Sequence, residues 1–358
     1  MKKVIVSAIL LSSLFGGAGV SHAQGDAKPE VKQCYTPGTT GFIAPKKLDT
    51  KTIAELKKGT YQYKGIKIGT SYNDIIKRFG KPEKERIENS AYGKMIELKY
   101  GKVGLLFLSV DRYANKSTMK LTEAGYDLSK TERFTKTEAD KWFGKATEVD
   151  KGKDHLVVTY GKVGVEFDVK KKPYTAKSVM MVGDADSIII DETTMKKNTR
   201  PGKFNGKTTP TFTNSDIKAM AAGTFSLKGA KLNMTHEQVN KAIGQVYQEN
   251  YVTTAKQRSL KQHIADFYEI EFNYIASDCK SPLKLQNMKF DYSFRGLTFD
   301  KVESLVGKPN KSVQGKPEVT TVVNKEVKVP TRTNTYGHLT VKGEFVKGKY
   351  RVLNMEYK

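Results

Sequence analysis

The residues that could do chemistry are few, and their spacing points away from the common reactions. Beyond the N-terminal segment the histidines are His155, His236, His263 and His338. None belongs to an H-E-x-x-H run or an i, i+4 pair, the spacing that sets two imidazoles around zinc on one helical face. No G-x-S-x-G is present to build a nucleophile turn. Ser117-Thr118-Met119-Lys120 and Ser281-Pro282-Leu283-Lys284 fit S-x-x-K, in which lysine would activate serine. No K-T-G strand accompanies them, and in so lysine-rich a chain chance explains both. Asp184, Asp186, Asp191 and Glu192 gather oxygens of the kind calcium takes, without the Gly-bearing loop that wraps the ion. A solvated acidic patch accounts for them. The sequence therefore predicts no catalytic residue, no metal site and no cofactor.

Aromatic content is more suggestive. The chain has 18 Tyr. Tyr61, Tyr63, Tyr72, Tyr92, Tyr100 and Tyr160, with Lys102 and Lys162, are the candidate binding residues. Rings beside cations on an antiparallel face can stack on sugars or bases and attract phosphates, or anchor a protein partner. Tyr also suits half-buried strands for purely structural reasons. Trp142, beside Phe143, reads as core.

Charge and targeting narrow the setting. Lys2 and Lys3, an apolar run over 4–20 and Ser21-His22-Ala23 read as a signal peptide spanning 1–23. Export of a soluble, bacterial-style protein follows, secreted or associated with the cell wall. No membrane span, lipidated cysteine or LPxTG-type end is expected. The 62 basic residues less Lys2 and Lys3 leave 60 against 38 acidic ones, a net charge of +22 on the mature chain. Such an excess favours polyanions, whether acidic wall polymers, anionic lipid or, through charge alone, nucleic acid. Lysines spread evenly for solubility would give the same sum. Cys34 and Cys279 either bridge in the oxidising compartment or remain buried thiols.

The elements that position these residues repeat. Gly59-Thr60-Tyr61-Gln62-Tyr63-Lys64-Gly65 returns 164 residues later as Gly223-Thr224-Phe225-Ser226-Leu227-Lys228-Gly229. Tyr100-Gly101-Lys102-Val103-Gly104 returns unchanged as Tyr160-Gly161-Lys162-Val163-Gly164. Glycines closing a capped helix recur at Gly80, Gly144, Gly244 and Gly307. Ser71 is the cap of the first helix, Thr135 or Thr137 of the second, Thr235 of the third and Thr298 of the fourth. Apolar alternation over 95–100 and 103–108, and over 156–160 and 163–169, is joined each time by Gly-Lys, a hairpin signal. Further strands are expected at 177–182 and 350–355. The fold class predicted is α+β, with four tandem helix plus antiparallel-sheet units arranged as two duplicated modules. The boundaries are a tail over 24–51, a first module over 52–190, an exposed linker over 191–213 and a second module over 214–358.

The run Gly69-Thr70-Ser71, Asp74-Ile75, Phe79-Gly80-Lys81-Pro82, followed by a Tyr-Gly hairpin, resembles secreted Firmicute repeat domains of unknown function. It is also similar to the α+β units of the β-lactamase-inhibitory-protein and outer-membrane-assembly lipoprotein group. Leu305-Val306-Gly307-Lys308-Pro309 matches the ending. Ala146 and Gln245-Val246 depart from it. The resemblance implies a binding or inhibitory scaffold and carries no catalytic residue. The function expected is a secreted non-catalytic binding protein directed at, or inhibiting, an extracellular protein. A basic cell-envelope or polyanion adhesin is the alternative, and a wall-active enzyme a third.

Overall fold

The computed structural model describes residues 4–5, 37, 48–62, 64–152, 155–170, 172–183, 189–190, 192–198, 212–244, 246–264, 270–278, 280–291, 296–322 and 325–358. Cys34, Cys279, Tyr63, Asp184, Asp186 and Asp191 lie outside these residues. The chain divides into two compact units, residues 1–199 with Tyr251–Gln257 and residues 200–250 with Arg258–Lys358.

The first unit contains β1 (Val4–Ile5), α1 (Thr50–Lys58), α2 (Tyr72–Phe79), β2 (Lys84–Ser90), β3 (Gly93–Tyr100), β4 (Val103–Ser109) and β5 (Leu121–Asp127). It continues with α3 (Lys136–Phe143), β6 (Glu148–Lys151), β7 (Leu156–Tyr160), β8 (Val163–Asp168), β9 (Thr175–Val182), β10 (Ile189–Ile190) and α4 (Glu192–Asn198). After it come α5 (Asn214–Ala222), α6 (His236–Ile243), β11 (Gln248–Thr254), β12 (Arg258–His263), β13 (Ile270–Ile275), β14 (Lys284–Phe290) and α7 (Phe299–Val306). The chain ends with β15 (Lys311–Gln314), β16 (Glu318–Val322), β17 (Lys325–Val329), β18 (Thr331–Tyr336), β19 (Leu339–Val346) and β20 (Lys349–Tyr357).

Local chemistry sets the helices. The Ser71 hydroxyl accepts from Asp74 N–H at the start of α2. Thr135 and Glu138 exchange side-chain and backbone bonds in a capping box, so Thr135 is the cap of α3. Thr235 with Gln238 does the same for α6, and Thr298 caps α7. Each such cap satisfies a backbone donor that the helix cannot. Besides α4, two further helices were not read from the sequence. They are α1 and α5, which also stand 164 residues apart and end on left-handed Gly59 and Gly223.

The expectation of four helix-plus-sheet units is overturned by strand pairing. Within the first unit the strands pair antiparallel in the order β2-β3-β4-β5-β9-β8-β7-β6, and within the second in the order β15-β18-β19-β20-β14-β13-β12. The last strand of the first repeat, β5, pairs with the last strand of the second, β9, in the register Glu123↔Val182 to Asp127↔Ser178. The last strands of the third and fourth repeats, β14 and β20, pair likewise, with Lys289↔Glu356. The physical reason is the exposed edge. A separate three- or four-stranded sheet leaves a row of unpaired N–H and C=O groups on its last strand, and two such edges satisfy each other. The repeats survive as sequence units but not as separate sheets.

Within the first unit, one face of the strands carries the core. Ile75 and Phe79 of α2, and Ala139 and Phe143 of α3, pack with Ile96, Leu98, Leu105, Phe107, Val158, Val165 and Phe167. The opposite face holds a smaller cluster of Met95, Leu106, Val157 and Met180. Residues 192–198, read as the opening of an exposed linker, are helical instead. Asn198, which ends α4, is fully buried.

Candidate functional site

The predicted aromatic face does not form where the sequence placed it. Tyr72, Tyr100 and Tyr160 are buried. Each uses its hydroxyl inside the unit: Tyr72 donates to Glu85 Oε1 at 2.5 Å, Tyr100 to the Gly80 carbonyl at 2.7 Å and Tyr160 to Asp140 Oδ1 at 2.6 Å. Burial, and then the Asp140 carboxylate, push the Tyr160 phenol well above its ordinary range. Tyr61 is half-buried against the core, and burial raises its phenol too. Tyr92 is exposed at the β2–β3 turn, Lys102 is exposed with its Nζ 3.6 Å from Glu132, and Lys162 lies half-buried against Gly59. Tyr72, Tyr100 and Tyr160 thus serve as tethers and Tyr61 and Lys162 as packing, while Tyr92 and Lys102 stay exposed.

An aromatic and cationic surface forms instead on the fourth repeat, from residues the sequence reading passed over. Arg332 of β18 sets its guanidinium carbon 4.2 Å from the centre of the Tyr350 ring. The buried Phe299, at the start of α7, stacks on Tyr350 with centres 5.4 Å apart. Gly343 makes the room, because a Cβ there would lie 2.5 Å from the Phe299 ring. Gln314 of β15 donates its amide to the Tyr350 hydroxyl at 3.1 Å. Phe345, 40% exposed, packs 5.1 Å from Tyr350 at the patch margin. Among the described residues Arg332 has no carboxylate within ion-pair distance, whereas its neighbour Arg351 is paired to Glu344. The result is a flat guanidinium, fixed by stacking, beside an exposed ring.

The contact depends on register. Arg332 pairs with Gly343, Gly343 with Val352 after an irregularity at Lys342/Gly343, and Phe345 with Tyr350. No local pattern announces a meeting of residues that distant. The paired motif Phe345 and Tyr350 flanking the Lys347-Gly348 turn was the one available signal.

The third repeat holds a second polar grouping, beneath α6. His236 Nε2 lies 2.9 Å from Asn240 Nδ2, 2.9 Å from Gln262 Nε2 and 3.1 Å from Glu249 Oε1. Gln262 also bonds Asn240 Oδ1, Glu249 Oε1 and the Tyr274 hydroxyl. Neutral His236 can accept from the amides at Nε2. Protonated there, it donates to Glu249. The members satisfy one another, and Gln262 and Tyr274 are fully buried. Among the described residues no three His, Cys, Asp or Glu side chains group as a metal site would require, and no helix is long and apolar enough to cross a membrane.

No family model matches the chain, and no curated protein matches it. Among solved structures, the chain is similar to a DUF4309 family protein, YjgB, from Bacillus subtilis subsp. subtilis str. 168. The likeness covers 37% of this chain and 93% of that one, at 19% identity and a TM-score of 0.25, and carries no argument.

Proposed function

We propose that this chain is a secreted, non-catalytic binding protein that grips an extracellular protein through Arg332, Tyr350 and Phe345. The supporting observation is a guanidinium laid on a tyrosine ring with no acid of its own among the described residues. Arg and Tyr dominate the residues that carry binding energy at protein interfaces. An Arg already ordered by stacking loses less rotamer freedom when it meets a carboxylate. Export is part of the proposal and rests on the signal-like segment 1–23.

A second reading, binding of an acidic wall polymer or another polyanion, is favoured by one observation. Residues 308–351 carry ten Lys and Arg against three Glu and no Asp. The two readings separate by salt. Affinity capture from culture medium and envelope extract, at low and high ionic strength, compares the wild type with Tyr350→Ala. A defined protein retained at high salt and lost in the variant supports the first reading. Binding that is indifferent to the variant and falls steeply with salt replaces it with the second.

A further inference from the structure

The fourth repeat carries an insertion that the second lacks. Strands β6 and β15 occupy the same place at their ends of the strand order, and Tyr160-Gly161 and Tyr336-Gly337 are the same hairpin corner. Between the edge strand and the strand leading to that corner, the second repeat spends residues 152–155 and the fourth spends residues 315–330. The added length is β16 and β17, paired antiparallel from Glu318↔Val329 to Val322↔Lys325. They form a two-stranded sheet of their own. Four contacts fasten its base to the main sheet, the first from Gly315 N–H to Thr331 O at 2.8 Å. Thr331 Oγ1 donates to Lys316 O at 3.0 Å, Phe345 N–H to Pro330 O at 2.9 Å, and Lys342 Nζ lies 2.6 Å from Glu318 Oε1. Val329 is buried at that base, while Val319 is 56% and Val327 42% exposed.

A lone two-stranded ribbon is marginal in water, and alternate residues of each strand turn their N–H and C=O outward. The edge strands β6 and β15 are only four residues long, as guarded edges are. The ribbon is different, because Val319, Thr320, Thr321 and Val322 make β16 almost wholly β-branched, and these residues favour pairing. Its surroundings are positive. Outside the ribbon, residues 308–351 carry eight Lys and Arg against Glu344, which Arg351 holds, while the ribbon itself has Lys325 and Lys328 against Glu318 and Glu326.

We propose that the β16–β17 ribbon is a docking arm that takes an extended acidic segment of the partner protein as a third strand. The proposal rests on the binding-protein reading above and supplies the chemistry of that partner. Backbone bonds along the added strand would give affinity, and acidic side chains meeting the basic surroundings of the arm would give selectivity.

The test uses the full chain and a synthetic peptide of alternating glutamate and valine. Three controls accompany it: the same peptide with lysine for glutamate, the same peptide with a central proline, and soluble polyglutamate. Calorimetry reads affinity, and hydrogen exchange reads protection at 318–322 and 325–329. The acidic peptide should bind and slow exchange in both strands by about tenfold or more, with the lysine and proline peptides at least about tenfold weaker. A variant whose residues 315–330 are replaced by residues 152–155 should bind no peptide. Equal binding of the proline peptide or of polyglutamate would mean charge alone and overturns the arm. So does absence of protection, or a concentration-dependent dimer that protects the strands without peptide, which would make a second copy the occupant. If the shortened variant still captures its partner while Tyr350→Ala does not, the arm fails and the patch stands.

Discussion

His236 Nε2 stands 3.1 Å from Glu249 Oε1, at the two positions that Tyr72 and Glu85 hold in the first copy, where the Tyr72 hydroxyl donates to Glu85 at 2.5 Å. The duplication kept a tether from helix to first strand and changed its donor. The neighbours changed with it. Asn240 stands for Ile76 and Gln262 for Leu98. Tyr274 lies opposite Leu260 as Phe107 lies opposite Ile96. An apolar layer in one copy is a hydrogen-bonded one in the other. Gln262→Leu alone strips partners from Tyr274, Asn240 and Glu249 together, and should cost about 2–4 kcal/mol. Converting all four residues to their first-copy types (His236→Tyr, Asn240→Ile, Gln262→Leu, Tyr274→Phe) should be neutral or stabilising, because no polar group is then stranded. Urea midpoints of the two variants check this. A fourfold variant weaker than the single one would refute it.

Asn198 makes a comparable prediction at the end of α4. Its amide donates to Ala91 O at 3.1 Å and Val110 O at 2.8 Å, and its Oδ1 accepts from Arg112 N–H at 3.2 Å. Arg112 Nη1 also reaches the Asn198 carbonyl. Asn198→Ala should destabilise the first unit by roughly 2–3 kcal/mol, since three buried backbone groups lose their partner at once. Limited proteolysis should then cut within 192–198 sooner than in the wild type. Unchanged cleavage there would show that α4 docks without this residue.

Glu123 sets a pH dependence. It lies between Leu106 and Val182 in the sheet, beside the Met95 and Met180 cluster, and burial pushes its carboxyl up to about 7 from 4.5. Below pH 4.5 both folded and unfolded chains hold the proton, so the group has no effect. Between 4.5 and 7 the unfolded chain releases it and the folded chain keeps it. Stability should therefore fall as pH rises through that window, by up to about 3 kcal/mol, with the loss complete above 7. Glu123→Gln should remove this slope and exceed the wild type at pH 8. Parallel profiles for the two proteins would place the titration elsewhere.

What was legible in the sequence was local. Ser71, Thr235 and Thr298 announce helix starts because a cap bonds only three residues away. Gly101 and Gly161 announce hairpins because their positive φ, 57° and 63°, suits glycine at a tight turn. What escaped was non-local. The pairing of Glu123 with Val182 joins two repeats that each looked self-contained. Period and composition mark Tyr100 and Tyr160 as sheet residues but do not say which face is covered. Arg332 meets Tyr350 only because Gly343 admits Phe299 beneath it, a contact of three chain segments.

That stack supports a substitution that separates shape from charge. Arg332→Lys keeps the formal charge and loses the plane that lies on Tyr350. If the patch recognises a protein, affinity for the captured partner should fall about tenfold or more, with the slope of binding against salt nearly unchanged, because the number of charges is the same. If the patch only attracts polyanions, heparin and wall-polymer binding should match the wild type at every ionic strength. Tyr350→Leu makes the converse change. It removes the ring under an unaltered Arg332, so a similar loss shows that stacking positions the guanidinium. Full affinity in Tyr350→Leu, with loss in Arg332→Lys, would instead mean that the arginine fork acts unaided.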